Sequence, residues 1–269
     1  MFRYEGEAWE KRFLPRLTYA EVEAMEKEDA LVILPVGAVE QHGSHLPLMT
    51  DALIGEALIT RTLERLPETA NVWLLPPVSY GKSNEHLDFA GTISLSAATL
   101  QSIITDIAVS LQRSGFRRLM LFNTHGGNVD LLNVVSREIR VQTGLMVFYV
   151  NPHSLDADKD LVTPEEHEYG IHGGDIETSL VLAFKPGWVH EDKLVNEIPA
   201  VTDYKYLTME GRIRFAWKMS DISRSGIAGD ATLATANKGE LMAERIASEL
   251  ALALQEISHF DIDRIVRDK

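Results

Sequence analysis

The chain has 269 residues, with 40 Asp and Glu against 26 Lys and Arg, and a formal charge of −14. A surface this acidic repels phosphate backbones and anionic lipid, which argues against nucleic-acid and membrane partners. Cysteine is absent, which removes disulfides, thiolate zinc sites, iron–sulfur clusters and a thiol nucleophile; any metal must sit on His, Asp and Glu.

The N-terminal residues 1–12 are mixed and charged, unlike a signal peptide. No run of about 18 apolar residues is available to span a bilayer. A cytoplasmic location is the expectation. Leu31–Val36 (LVILPV) reads as a strand buried on both faces. Residues 51–66 read as a helix through Leu53, Ile54, Ala57, Leu58 and Leu63. A second strand at 72–75 is stopped by Pro76 and Pro77. Residues 96–114 carry the clearest helical stripe, Leu100, Ile103, Ile104, Ile107 and Leu111, with Gly115 as its C-terminal stop. A strand at 119–122, a helix over Val129–Thr143 and a strand over Met146–Val150 follow. Further helices are predicted at 176–184 and 238–257. The region 152–174 is too polar for core and reads as a loop or lid, and 212–225 has no clear period. Strands alternating with helices at this spacing imply a mainly parallel sheet covered on both sides, an α/β/α sandwich in one domain over residues 1–269.

Three polar clusters fall near predicted strand ends, where open α/β sheets build their sites. The first holds Glu40, His42, His45 and Asp51. In an extended segment Glu40 and His42 point to the same side. Asp51 opens the next helix, where a carboxylate caps the helix or bridges to a metal. The second is Asn123-Thr-His125-Gly-Gly-Asn128, and the third is His172-Gly-Gly-Asp175-Ile-Glu177. Each alone has a bland explanation: a surface histidine, a cap or a turn. Together, imidazoles and carboxylates at successive strand ends suit zinc, manganese or iron(II). Two His and three carboxylates suffice for two ions if one carboxylate bridges, the pattern of a metal hydrolase.

The block from Glu40-Gln-His42-Gly-Ser-His45-Leu-Pro-Leu to Asp51 resembles the opening motif of the creatininase (creatinine amidohydrolase) family. Four later blocks agree in order. They are Tyr80-Gly-Lys-Ser83-Asn-Glu85-His86 with Phe89-Ala-Gly-Thr92, then Asn123 to Asn128, then His172 to Ser179, then Gly226-Ile-Ala-Gly229-Asp230 with Lys238-Gly239. The resemblance implies an α/β sandwich, a hexamer and two divalent ions, zinc first, with manganese or iron as alternatives. Carried over by position, Glu40, Asp51 and His125 would hold one ion. His42 and Asp51 would hold the second, with Asp51 bridging. Creatininase proper draws a ligand from a Glu where this chain has Gly127, and Glu177 would replace it as ligand or catalytic group. His172 matches the catalytic His near the leaving group, and Ser83 and residues 168–171, including Tyr169, match substrate contacts.

The implied reaction is attack of an ion-bridging hydroxide on an amide carbonyl, with His172 delivering a proton to the departing nitrogen. The expected substrate is a small cyclic or linear amide. Creatinine itself fits less well. The family's ring-clamping tryptophans have no counterpart between residues 150 and 175, the four here being Trp9, Trp73, Trp188 and Trp217. Other activities in the family are a formamide deformylase, a peptidase and a keto-inositol hydrolase. Lys82 is the single basic residue in the blocks before His125, a poor phosphate pocket for a nucleotide deformylase. A metabolite-binding protein without turnover is the reading from a different class.

Overall fold

The computed structural model describes residues 4, 6–157, 159–210 and 213–265. Arg212, which opens the ambiguous 212–225 stretch, lies outside the described residues. In chain order the elements are α1 (Glu7–Arg12), α2 (Tyr19–Ala24), β1 (Leu31–Val36), α3 (Thr50–Glu64), β2 (Val72–Leu74), α4 (Ala97–Arg113) and β3 (Arg118–Asn123). They continue with α5 (Val129–Thr143), β4 (Met146–Val150), α6 (Pro164–Tyr169), α7 (Asp175–Phe184), β5 (Asn196–Glu197), β6 (Leu207–Thr208) and β7 (Ile213–Arg214). The last are α8 (Met219–Ile222), β8 (Gly229–Asp230) and α9 (Ala236–His259).

Strands β1 to β4 form one parallel sheet in the order β2-β1-β3-β4. Alternation along β1 sends Leu31 and Ile33 to one face and Val32, Leu34 and Val36 to the other. The first face packs against α1, α3, α7 and α9, through Ile54, Leu58, Leu180, Met242, Ile246 and Leu250. The second packs against α4 and α5, through Leu100, Ile104, Leu111, Leu132, Val135 and Ile139. The architecture is therefore the expected three-layer sandwich. Both faces of β1 are dry, which explains why its sequence is apolar throughout rather than alternating.

Local chemistry sets the boundaries. Ser96 caps α4 by accepting from Thr99 N, and Gly144 closes α5 at φ 74°. The predicted loop at 152–174 contains α6, which starts with Thr163 accepting from Glu166 N and Pro164 at its first position. Six residues are too few to show a helical period, so the sequence pattern missed it. Strands β5–β8 are two residues each and pair as β5 with β8 and β6 with β7. In the sheet order, β2 lies to one side of β1 and β3 to the other. The crevice between the carboxyl ends of β1 and β3 is thus a topological switch point.

Candidate metal centre

Glu40 and His42 follow β1 on a loop held by Gly37 N–H donating to Val78 O and Glu40 N–H to Leu48 O. Asp51 lies in the first turn of α3. It does not cap that helix; its two oxygens turn to two imidazoles. Oδ1 is 3.2 Å from His42 Nε2 and Oδ2 is 3.2 Å from His125 Nδ1. Glu40 Oε1 is 3.3 Å from His125 Nδ1 and 3.5 Å from His172 Nδ1. Glu177, in the first turn of α7, brings Oε2 to 3.6 Å from His42 Nε2 and accepts from Gly173 N–H at 2.6 Å.

Asn123 and Asn128 brace the loop after β3. Asn123 Nδ2 donates to His125 O at 2.8 Å, and Asn128 Nδ2 donates to Gly37 O at 3.1 Å. Asn128 Oδ1 accepts from Lys82 N–H at 2.9 Å, tying the second and third motif blocks to the loop after β1. A β-carbon at residue 127 would collide with Glu85 Oε1, so no side chain could project there while Glu85 keeps its place. Glu85 itself pairs with Lys82 Nζ at 2.9 Å.

His42 Nδ1–H donates to Glu40 O at 3.1 Å, and His125 Nε2–H to Lys82 O at 3.1 Å. A backbone carbonyl on one ring nitrogen aims the other nitrogen of each ring at the carboxylates, where it carries a proton or, once that proton is displaced, offers a lone pair to a cation. Glu40, His42, Asp51 and His125 are all at most 3% exposed, and the Glu177 side chain is 17% exposed. Burial alone would push the His42 and His125 pKa values down. The neighbouring carboxylates outweigh it and hold both well above the ordinary imidazole range. Burial likewise opposes ionisation of Asp51 and Glu177, yet His42 and its neighbours keep both low, Glu177 at about 2. Burial depresses His172, with His42 adding to it, and drives His86 to about 3. Protons on two imidazoles thus offset buried carboxylates, a task that bound cations take over by displacing them.

Glu40 Oε2 is buried and accepts no hydrogen bond, and buried Asp51 Oδ2 has the His125 ring nitrogen as its neighbour at 3.2 Å. Buried carboxylate oxygens gathered beside imidazole nitrogens are the donor set that a divalent ion satisfies once it displaces the imidazole protons. Glu40, Asp51 and His125 form one triad of ligand atoms within 4.8 Å of one another, and His42, His172 and Glu177 form a second. Glu40, His86 and His172 form a third set.

Two clefts of about 800 and 400 Å³ reach the centre, and both touch His172, Glu177 and Gly126. Tyr169 lines the smaller cleft. Ser83 does not line either; it is fully buried, with Oγ 3.2 Å from His125 Nε2, on the side of the ring away from the carboxylates. Phe215 and Trp217 stand in the wall of the larger cleft. They come from the 212–225 stretch, far in sequence from residues 150–175, where the family's ring-clamping tryptophans lie.

Sequence reasoning missed Glu166, grouped with the polar loop. It is 1% exposed, and its two oxygens accept from Asp175 N–H and Asp230 N–H, both at 2.7 Å. Gly170 and Gly174 press against its carboxylate, where added β-carbons would collide. The available signal was spacing: an acid three residues after Thr163 at a helix start. His45 Nε2 lies 2.9 Å from Thr178 Oγ1, which supports α7, while His190 and His259 are exposed, as expected.

A buried His and carboxylate centre in the switch-point crevice of an α/β/α sandwich defines the class, a metal-binding hydrolase. The family described as Creatininase, creatinine amidohydrolase, matches residues 15–254. The creatinine amidohydrolase of Pseudomonas putida is 34% identical over 262 residues, covering 91% of this chain and 96% of its own. The mycofactocin precursor peptide peptidase of Mycolicibacterium smegmatis is 33% identical over 212 residues, 78% of each chain. A solved creatininase in a Mn form has a TM-score of 0.73 at 31% identity, covering 92% of this chain and 99% of that one. Another solved creatininase is of Zn–Zn type. The chain belongs to the creatininase family and is an amidohydrolase.

Proposed function

We propose that this enzyme hydrolyses the C–N bond of a small cyclic or linear amide with two divalent ions, zinc first and manganese or iron as alternatives. Glu40, Asp51 and His125 hold one ion. His42, Asp51 and Glu177 hold the other. The observation that carries this reading is Asp51, whose two oxygens face two imidazoles from different loops at 3.2 Å each. Bound divalent cations lower the pKa of water and offset negative charge on a carbonyl oxygen.

The protein's own residues do the rest. The His172 ring is held by its Nε2–H bond to Gln41 O, so Nδ1 is the atom free to hold and pass a proton to the departing nitrogen. Tyr169, on the smaller cleft, contacts the substrate there. Ser83 acts through His125, whose Nε2 it touches. The near-complete burial of Glu40, Asp51 and His125 keeps bulk water from competing for their charges.

The test is a panel of lactams, formamides and short peptides incubated with zinc- or manganese-loaded enzyme and read by mass spectrometry for gain of water. No product from any of them, with full metal content, overturns the reading in favour of a binding protein. A peptide substrate is the second reading. Clefts of about 800 and 400 Å³ meeting at His172 and Glu177 leave room for an extended chain on both sides of the cleaved bond. The peptidase relative adds support. We also propose self-association, as a homohexamer, through exposed Tyr204, Tyr206, Leu207 and Ile213. A light-scattering mass near 30.0 kDa, that of one chain, refutes it.

A further inference from the structure

Gln41 lies between the first two ligands in sequence, and the reaction as described gives its side chain no role. It is 4% exposed and every polar atom of its side chain is engaged. Oε1 accepts from Gly43 N–H at 2.9 Å. Nε2 donates to Gly226 O at 2.7 Å and contacts His86 Nδ1 at 2.8 Å. A backbone N–H only donates and a backbone carbonyl only accepts, so these contacts allow one orientation of the amide. Gly226 stands at φ 90°, and a β-carbon there would collide with Gln41 Oε1, so glycine is needed for this approach.

The orientation dictates protons elsewhere. The second hydrogen on Gln41 Nε2 goes to His86 Nδ1, which must therefore be a lone pair. His86 carries its proton on Nε2, the nitrogen that faces Glu40 Oε1 at 3.7 Å. His86 is thereby a donor toward Glu40 and has no lone pair to offer in the set it forms with Glu40 and His172. His172 Nε2 lies 2.7 Å from the backbone O of Gln41 and 3.2 Å from its Nε2. Both hydrogens of that amide are already used, so His172 Nε2 must donate to the carbonyl, leaving the lone pair on Nδ1, toward Glu40. The His172 ring packs against those of His42 and His86, with centroids 4.2 Å from each and interplanar angles of 33° and 36°, which leaves it little freedom to turn over.

We infer that Gln41 is a positioning residue that sets the tautomers of His86 and His172, joining the first, second, fourth and fifth motif blocks in one hydrogen-bond network. The inference concerns proton placement in the folded chain and stands or falls apart from the identity of the substrate.

The test is long-range proton–nitrogen correlation NMR on nitrogen-15-histidine protein, zinc-loaded and chelator-treated. The two rings are assigned by loss of their signals in His86→Gln and His172→Gln. Wild type should show His86 protonated at Nε2 and not Nδ1, and His172 protonated at Nε2. A proton on Nδ1 of His86, or His172 protonated on Nδ1 and not on Nε2, overturns the inference in wild type, whatever the variants do. Gln41→Glu replaces the amide donor with an acceptor and should move the His86 proton to Nδ1 while thermal unfolding stays cooperative. A folded Gln41→Glu protein with His86 unchanged also overturns it; a merely structural glutamine would leave that tautomer in place.

Discussion

The two halves of the centre are built differently. Glu40, His42, Asp51 and His125 sit on loops and a helix start that leave the buried sheet directly, with Asn123 and Asn128 bonding back to them. His172 and Glu177 have no sheet strand behind them. His172 is held by an antiparallel bridge to Ala228, and α7 is tied to β8 by the single carboxylate of Glu166. The first half inherits rigidity from the core. The second shares that core through Leu180 and Val181 of α7, but the segment that brings His172 to the centre depends on a few polar contacts between segments distant in sequence, so it should be the easier half to disturb without losing the fold.

Substitutions can break or sharpen that contrast. The largest effect is expected at Asp51→Ala, which should abolish turnover and remove both ions; elemental analysis showing full metal content would falsify the bridging role. His172→Ala should keep its metal and lose about 10²–10⁴-fold in kcat, the range for a general acid–base group. Unchanged turnover would take His172 out of the reaction. Glu166→Gln places an NH₂ against one of two buried N–H donors. It should lower stability by about 1–3 kcal/mol in urea titration and loosen the 164–175 segment in hydrogen exchange. Protection there equal to wild type would mean that the second half is not held by this carboxylate.

The smallest effect concerns pH in chelator-treated protein. Burial lowers the His42 and His125 pKa values, but the carboxylates win and raise both above the ordinary 6.5. A raised imidazole contributes fully below pH 6.5, and its contribution fades as pH climbs through the folded value. Glu177, depressed to about 2, contributes above pH 4.5 and loses that contribution as acid approaches 2. Chelated protein should therefore weaken on the alkaline side of pH 6.5, and saturating zinc should flatten that decline. A chelated protein whose melting temperature does not fall there contradicts the proposed proton-for-cation exchange.

Much of this was legible in the chain. Leu31–Val36, Val129–Thr143 and Met146–Val150 have the predicted bounds, because a continuous apolar run or a long amphipathic period leaves a strong pattern. Glu40, His42, Asp51, His125, His172 and Glu177 were all candidates, and the structure gathers them into one centre. Short elements were not legible: α6, β6 and β7 are too short to show a period, and β5 owes its form to β8, a partner far away in the chain. Ser83 shows a different limit. Its motif suggested substrate contact, whereas its burial behind His125 is a tertiary fact.

Composition determined that a metal must sit on oxygen and imidazole, since the chain has no cysteine. Periodicity determined the sandwich, and residue type determined the ligand candidates. Only the tertiary structure decided which nitrogen of each imidazole faces the carboxylates, that Glu166 is a buried tie rather than loop polarity, and that Phe215 and Trp217 reach the larger cleft. The reason is physical. Burial pattern and residue chemistry are written locally, but a hydrogen bond that selects a tautomer or anchors a loop depends on a partner the fold brings from another segment.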